Sequence, residues 1–321
     1  MIVLWRITTR CNYACGFCAY DRRRAIARRD VVADEAARFG RLLAAWGETR
    51  GRRILLSWLG GEPLVWNPIF PLSRALAGPS LAISATTNGS VLHRPWARAE
   101  ILASFAELTV SIDGPAAVHD RLRGANGAYA RVGAGVRALN AERHASGVAL
   151  RLRANVVLMR DTVAHFAQLC ETLADWGIDE ITFNQLGGRD RPEFFPPQQL
   201  QPRDTEELAT GMPALVSHLA NRGVHLCADP LYLRRLHASA VGLPLAIDDC
   251  QLGRDFLFVD ECGIASPCSF SGDTYGVPIA SLKTIADLDA LHLRFAERHA
   301  VERCASCDDC PSTQTFAKFA A

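Results

Sequence analysis

The sequence predicts an α/β fold, a partial (β/α)6 TIM-like barrel followed by a small cysteine-rich C-terminal extension. Three observations predict it. Short apolar runs alternate with longer stretches of helical period from the N-terminus to Asn184. Such alternation makes a parallel sheet with right-handed crossovers; six strands rather than eight leave the barrel partial, with its site at the C-terminal strand ends. Beyond Asn184 the pattern breaks, and the cysteines of positions 250–310 take over.

The elements follow in order. Val3–Thr8 is the first strand and Val32–Trp46 the first helix; Arg53–Trp58 and Ile69–Ala77 are the second pair. Leu81–Thr87 with Ala97–Phe105, Leu108–Ile112 with Tyr129–Arg143, and Leu150–Leu158 with Thr162–Trp176 continue the series, and Glu180–Asn184 is the sixth strand. Residues 185–202, rich in Gly, Pro and Gln, read as a long loop before a helix at Thr205–Arg222. Phe256–Val259 with Gly263 reads as a hairpin. Two domains are expected, 1–230 and 231–321.

With 321 residues and 49% hydrophobic content, the chain can bury a sizeable core. Its 35 basic and 34 acidic residues leave a net charge of +1, so no field of one sign points to a nucleic-acid or membrane partner. The run Arg22-Arg23-Arg24, with Arg28 and Arg29, reads as a solvated local feature. Met1 is followed by Ile-Val-Leu-Trp without a charged n-region, and no apolar stretch is long enough to span a bilayer, so a cytoplasmic protein is expected. Eleven cysteines in a reducing compartment argue for metal or catalysis rather than disulfides. Cys170 and Cys227 stand apart from the rest and read as buried structural thiols.

The first cysteine group, Cys11-x3-Cys15-x2-Cys18, follows strand one. Three thiolates can hold three irons of a 4Fe–4S cubane and leave one iron open to a ligand. Structural zinc would want a fourth ligand nearby, and none is local. Gly60-Gly61-Glu62-Pro63 follows strand two, Thr86-Thr87-Asn88-Gly89 ends strand three, and Ser111-Ile112-Asp113-Gly114 ends strand four. In this order the motifs resemble those of the radical S-adenosylmethionine (SAM) superfamily. The resemblance covers roughly residues 1–230. It implies that Cys11, Cys15 and Cys18 hold a cluster whose open iron binds SAM. It further implies SAM contacts from Gly60, Gly61, Glu62 and Pro63, from Asn88, Ser111 and Asn155, and from Arg123. Phe17 and the end of strand six would lie near adenine.

The second group, Cys250, Cys262, Cys268, Cys304, Cys307 and Cys310, resembles the SPASM/twitch extensions of that superfamily, which carry auxiliary clusters. One auxiliary, twitch-like 4Fe–4S cluster is expected, held by four of Cys250, Cys268, Cys304, Cys307 and Cys310; a zinc ribbon is the plainer alternative. A thiol not bound to iron could return hydrogen to a substrate radical; Cys250 and Cys262 are the candidates, with Cys310 a further one. The resemblance implies a 5′-deoxyadenosyl radical and a one-electron reductant such as flavodoxin or ferredoxin. The expected reaction is epimerisation of a carbinol carbon in an aminoglycoside-like small molecule, as in antibiotic biosynthesis. The alternatives are dehydrogenation of an amino sugar or aminocyclitol, peptide maturation, or a non-catalytic Fe–S or zinc module. With Cys11 ten residues after Met1 no fused peptide-recognition domain is expected, and Asp190 with Asp248 and Asp249 could place carboxylates for a polycationic sugar.

Overall fold

Side chains alternate in character along the barrel strands, and the alternation sorts the two faces of the sheet. In the structure, a computed structural model describing residues 1–187, 191–247 and 250–311, the strands are β1 (Ile2–Thr8), β2 (Ile54–Gly60), β3 (Leu81–Thr87), β4 (Glu107–Ser111), β5 (Arg151–Leu158) and β6 (Glu180–Gln185). The expected α/β partial barrel is thus present, its six strands parallel and in sequence order.

One face is apolar and lies under the helices. Trp5 of β1 meets Phe39 of the helix Ala33–Arg50 edge-on, with ring centres 5.6 Å apart. Trp58 of β2 donates its indole N–H to Ser73 of the helix Ile69–Leu76 at 2.9 Å. Phe183 of β6 stacks on Phe166, which opens the helix Phe166–Asp175. Each of these aromatics is fully buried on the sheet side, so the helix layer is fixed by large rings in contact rather than by local propensity.

The other face turns inward and carries polar side chains beside apolar ones such as Leu4 and Leu55. Arg6 of β1, Ser57 of β2, Glu107, Thr109 and Ser111 of β4, Arg153 and Asn155 of β5, and Thr182 and Asn184 of β6 line a central cavity of ≈ 1010 Å³. Buried charges there are paired: Arg153 bonds Glu107 at 2.9 Å and Glu180 at 2.5 Å. An interior of this kind cannot be a packed hydrophobic plug; it keeps a ligand-sized space open.

The sheet runs past the expected barrel. β7 (His225–Leu226) pairs with β6, and β8 (Phe256–Val259) lies parallel to β1. β9 (Ile264–Ser266) and β10 (Val277–Pro278) follow antiparallel, giving one sheet in the order β10-β9-β8-β1-β2-β3-β4-β5-β6-β7. The hairpin expected around Gly263 is therefore an extension of the barrel sheet, and Gly263 supplies the left-handed turn at φ 76°. The helix Pro230–Ala240 starts at the expected boundary. Helices at Ala116–Arg123, Ile285–Asp289 and Leu291–Val301 had no clear signal in the sequence. Among the described residues, no helix is long and apolar enough to cross a membrane.

Candidate functional site

The C-terminal ends of β1 to β6 open onto the cavity, and the three N-terminal cysteines lie at its mouth. Their loop is tied to the helix Ala116–Arg123: Ala14 N–H donates to the Arg123 carbonyl at 3.1 Å and Gly16 N–H to Leu122 at 3.2 Å. Within the loop, Tyr13 N–H points at Cys11 Sγ (3.5 Å) and Tyr20 N–H at Cys18 Sγ (3.4 Å). Cys15 Sγ is 3.8 Å from the Arg123 carbonyl, and Asn88 Nδ2 is 3.9 Å from Cys11 Sγ.

This donor set fits an iron–sulfur cluster. Burial pushes Cys11 up to about 11 and Cys15 up to about 12, so without a cation both are thiols at neutral pH. Three sulfurs gathered in one loop, two of them met by backbone N–H donors, are stable as thiolates only with metal among them. Cys11, Cys15 and Cys18 would hold three irons of a cubane and leave the fourth open to a further ligand.

Gly60 and Gly61 bring the end of β2 against this loop. A Cβ on Gly60 would stand 2.3 Å from the Thr8 carbonyl oxygen, and one on Gly61 2.1 Å from that of Arg10, so only glycine allows the approach. Both glycines line the cavity; Glu62 and Pro63 do not. The Glu62 carboxylate is fully buried and accepts from Leu64 N–H (3.0 Å), Thr87 Oγ1 (2.6 Å) and Asn88 N–H (2.6 Å). It fastens the end of β3 to the end of β2. Burial still outweighs these bonds and lifts its pKa to about 7. What faces the ligand space at this motif is backbone, not the carboxylate proposed from the sequence.

Asn88, Ser111, Asn155, Arg123 and Phe17 all line the cavity. Ser111 and Asn155 are register partners on β4 and β5. The Asn155 side-chain oxygen accepts from Thr182 Oγ1 (3.1 Å) and Asn184 Nδ2 (3.0 Å), which fixes its orientation. Arg123 bonds Asp113 at 2.7 Å and stacks over Phe17, its guanidinium carbon 5.4 Å from the ring centre. Burial opposes its charge, but Asp113 outweighs burial and holds its pKa above the ordinary value. Asp113 was not singled out in the sequence; its role appears only when the helix Ala116–Arg123 folds Arg123 back onto the end of β4.

The C-terminal cysteines separate. Cys250, Cys268, Cys304, Cys307 and Cys310 surround a second, small pocket beneath Tyr275. Tyr275 donates its hydroxyl to the Glu302 carbonyl (3.1 Å) and accepts the Cys304 N–H (2.6 Å), which sets the start of the Cys304–Cys310 loop. Burial, then Cys268, Cys310 and Cys307, push Cys250 up to about 11. Phe270, Ser306 and Pro311 line both spaces and form the wall between them.

Cys262 is elsewhere. It is exposed in the β8–β9 turn, 3.2 Å from an Arg29 guanidinium nitrogen, and lines neither space. Cys250 lines only the small pocket. Cys170 is buried in the core as expected, whereas Cys227 is half-buried with its sulfur 3.2 Å from Glu180 Oε1. Asp190, Asp248 and Asp249 lie outside the described residues. Sequence reasoning also missed Tyr232 and Arg235 of the helix Pro230–Ala240, which wall the cavity. Their only signal was a weak amphipathic pattern.

Comparison with known proteins agrees with this geometry. An AdoMet-dependent heme synthase of Methanosarcina barkeri is 31% identical over 139 residues, 43% of this chain and 38% of that protein. A pre-heme d1 synthase of Dinoroseobacter shibae is 27% identical over 186 residues, 58% of this chain and 43% of that one. The chain thus spans about two fifths of the length of these curated relatives. Among solved structures, Streptococcus suis SuiB bound to S-adenosylmethionine matches with a TM-score of 0.67 at 14% identity, covering 97% of this chain and 72% of that chain. Native anSMEcpe with bound AdoMet and the Kp18Cys peptide matches with a TM-score of 0.65 at 17% identity, over 97% and 88%. At these identities the two structures speak to the fold alone. The family model of the radical SAM superfamily matches residues 5–173, more than half of the chain, over the very strands and loops that build the cysteine site, and the chain belongs to that superfamily.

Proposed function

We propose that this radical SAM enzyme carries one auxiliary iron–sulfur cluster and oxidises a neutral, largely apolar group, such as a peptide side chain, held between its two cysteine sites. The observation that carries the reading is a single cavity with the Cys11–Cys18 loop at one end and the wall of the five-cysteine pocket at the other. When bound, the cluster on Cys11, Cys15 and Cys18 with SAM supplies a hydrogen-abstracting 5′-deoxyadenosyl radical, and a second cluster supplies an electron acceptor.

The chain's own residues do the positioning. Backbone at Gly60 and Gly61, with Asn88, Ser111, Asn155 and Arg123, would hold SAM, and Phe17 would pack against it. Ile2, Leu4, Leu55, Leu236 and Phe256 give the substrate end an apolar wall. Cavity charges are already spent on one another: Arg6 on Glu261, Arg153 on Glu107 and Glu180, Arg235 on Asp309. A polycationic amino sugar would need carboxylates without such partners, and among the described cavity residues the two acids, Glu107 and Asp309, both have an arginine. Epimerisation further needs a hydrogen donor facing the substrate. Neither Cys250 nor Cys262 lines the cavity, which counts against the hydrogen donors expected from the sequence, while Asp190, Asp248 and Asp249 lie outside the described residues. Peptide modification has support in folds similar to this one, since SuiB and anSMEcpe have each been solved with a peptide bound.

The test is anaerobic reconstitution followed by turnover in deuterated water. Two cubanes give about eight irons per chain. Oxidation gives 5′-deoxyadenosine and a product two mass units lighter without deuterium. One solvent deuterium in a product of otherwise unchanged mass would restore epimerisation, and screening short peptides beside amino sugars separates the substrate classes.

A further inference from the structure

Residues 22–29 read Arg-Arg-Arg-Ala-Ile-Ala-Arg-Arg, five arginines in eight positions, in a chain whose 35 basic and 34 acidic residues otherwise balance. The structure lays this strap on the outer side of the cysteine loop. Arg22 N–H donates to the Tyr13 carbonyl at 3.1 Å, and Arg29 N–H to Thr9 Oγ1 at 2.7 Å. The Arg28 guanidinium donates to four carbonyl oxygens, Thr9 (2.8 Å), Tyr20 (3.2 Å), Asp21 (2.7 Å) and Arg24 (3.2 Å). Arg28 thus fixes the strap to the loop that carries Cys11, Cys15 and Cys18.

The charge on the strap is directed outward. Of the nearby acids, Asp21 is buried and pairs with the strap's own Arg23 and with Arg191, Asp30 takes Thr8 and Arg10, and Glu193 feels the charge of Arg24. Arg22, Arg23, Arg24 and Arg29 are exposed. Arg22 donates to the Asn12 carbonyl at 3.4 Å and Arg29 to Cys262 Sγ at 3.2 Å, neither of them a carboxylate. The inner side of the same loop faces the cavity, where SAM and substrate must sit. The strap side is thus an approach to the cysteines that does not pass through the cavity.

We infer that the exposed face of residues 22–29 is the docking surface for an acidic one-electron carrier protein. The carrier gives up one electron to the group on Cys11, Cys15 and Cys18 and leaves oxidised; no atom is transferred. Complementary charge would raise the rate of encounter and make it steeply dependent on salt. The inference rests on the cysteine triad and not on the identity of the substrate, so a wrong substrate reading would leave it standing.

The test uses the reconstituted holoenzyme and a flavodoxin as the probe. Binding should weaken at least tenfold between 50 and 300 mM NaCl, and at least tenfold again in Arg22→Glu/Arg24→Glu/Arg29→Glu at low salt. Iron content and dithionite-driven 5′-deoxyadenosine release should stay at wild-type levels while flavodoxin-driven release falls with binding. Cys262, exposed beside Arg29, gives a second readout on the unmutated protein: its alkylation should slow when flavodoxin docks. Unchanged flavodoxin binding by the triple variant would overturn the proposal. So would salt-independent binding, unprotected Cys262, or preference of the surface for an acidic peptide or polynucleotide over the carrier at equal ionic strength. Should the variant lose iron, the salt series and the Cys262 protection decide the matter alone.

Discussion

Asp113 and Arg123 show how much a single pair decides at the residue scale. The Asp113 side chain is 0% exposed and that of Arg123 is 9%, so neither charge has water to fall back on. Asp113→Ala would strand the guanidinium in the interior and should cost about 3–5 kcal/mol in denaturant unfolding. Asp113→Asn keeps a hydrogen-bond acceptor and should cost less. Glu62 makes a separate prediction about pH. Its folded pKa stands near 7, above that of an unfolded glutamate, so the folded state holds the proton more tightly. The stability this provides is full below the unfolded pKa and is lost as pH rises through 7, by about 3 kcal/mol over the window. The difference in unfolding free energy between wild type and Glu62→Gln should fall along that window; a difference curve flat from pH 4.5 to 8 would show that the three donors keep Glu62 ionised throughout. Sequence spacing revealed the cysteine triad and the two glycines because both are local patterns. It assigned Glu62 to the ligand space because it could not show that Thr87 and Asn88 close over the carboxylate.

At the scale of elements, the same distinction between local and distant signals holds. All six barrel strands were legible, since each carries an apolar outward face that must meet a helix. The helix Ala116–Arg123 was hidden: its sequence, Ala-Ala-Val-His-Asp-Arg-Leu-Arg, is short and half polar, and it is stopped by the left-handed Gly124 at φ 59°. The helix Pro230–Ala240 matters for another reason. Its Arg235 is nearly buried and pairs with Asp309, which lies between Cys307 and Cys310 and also accepts the Leu245 N–H at 3.0 Å. Arg235 is thus a positioning residue for the second cysteine loop. Arg235→Met should lower reconstituted iron from about eight toward about four per chain while dithionite-driven 5′-deoxyadenosine release persists. A loss of both together would mean that the substitution unfolds the barrel instead, and circular dichroism would separate the two.

On the scale of the whole molecule, the joining of β8 to β1 is what brings the two cysteine sites into one enzyme. The pairing sets Ile2 against Phe256 and Trp5 against Val259, partners more than 250 positions apart. No local pattern announces a parallel contact of that separation, so the sequence suggested an appended extension where the structure has a continuous sheet. The consequence is functional. With the small pocket held behind Phe270, Ser306 and Pro311, a substrate in the cavity is within one wall of each site. The two sites should then be separable by mutation but not by function. Cys268→Ala/Cys304→Ala removes two thiols from the small pocket and leaves the Cys11–Cys18 loop, Gly60–Gly61 and Arg123 untouched. Such a variant should still cleave SAM, at a rate within a few-fold of wild type, yet form no oxidised product, because the electron left on the substrate has no acceptor. Cys11→Ala/Cys15→Ala/Cys18→Ala should abolish both. The decisive quantity is the ratio of product to 5′-deoxyadenosine: near one in the wild type, near zero in the first variant. A ratio that stays near one without Cys268 and Cys304 would mean that the second site holds the fold and takes no electron.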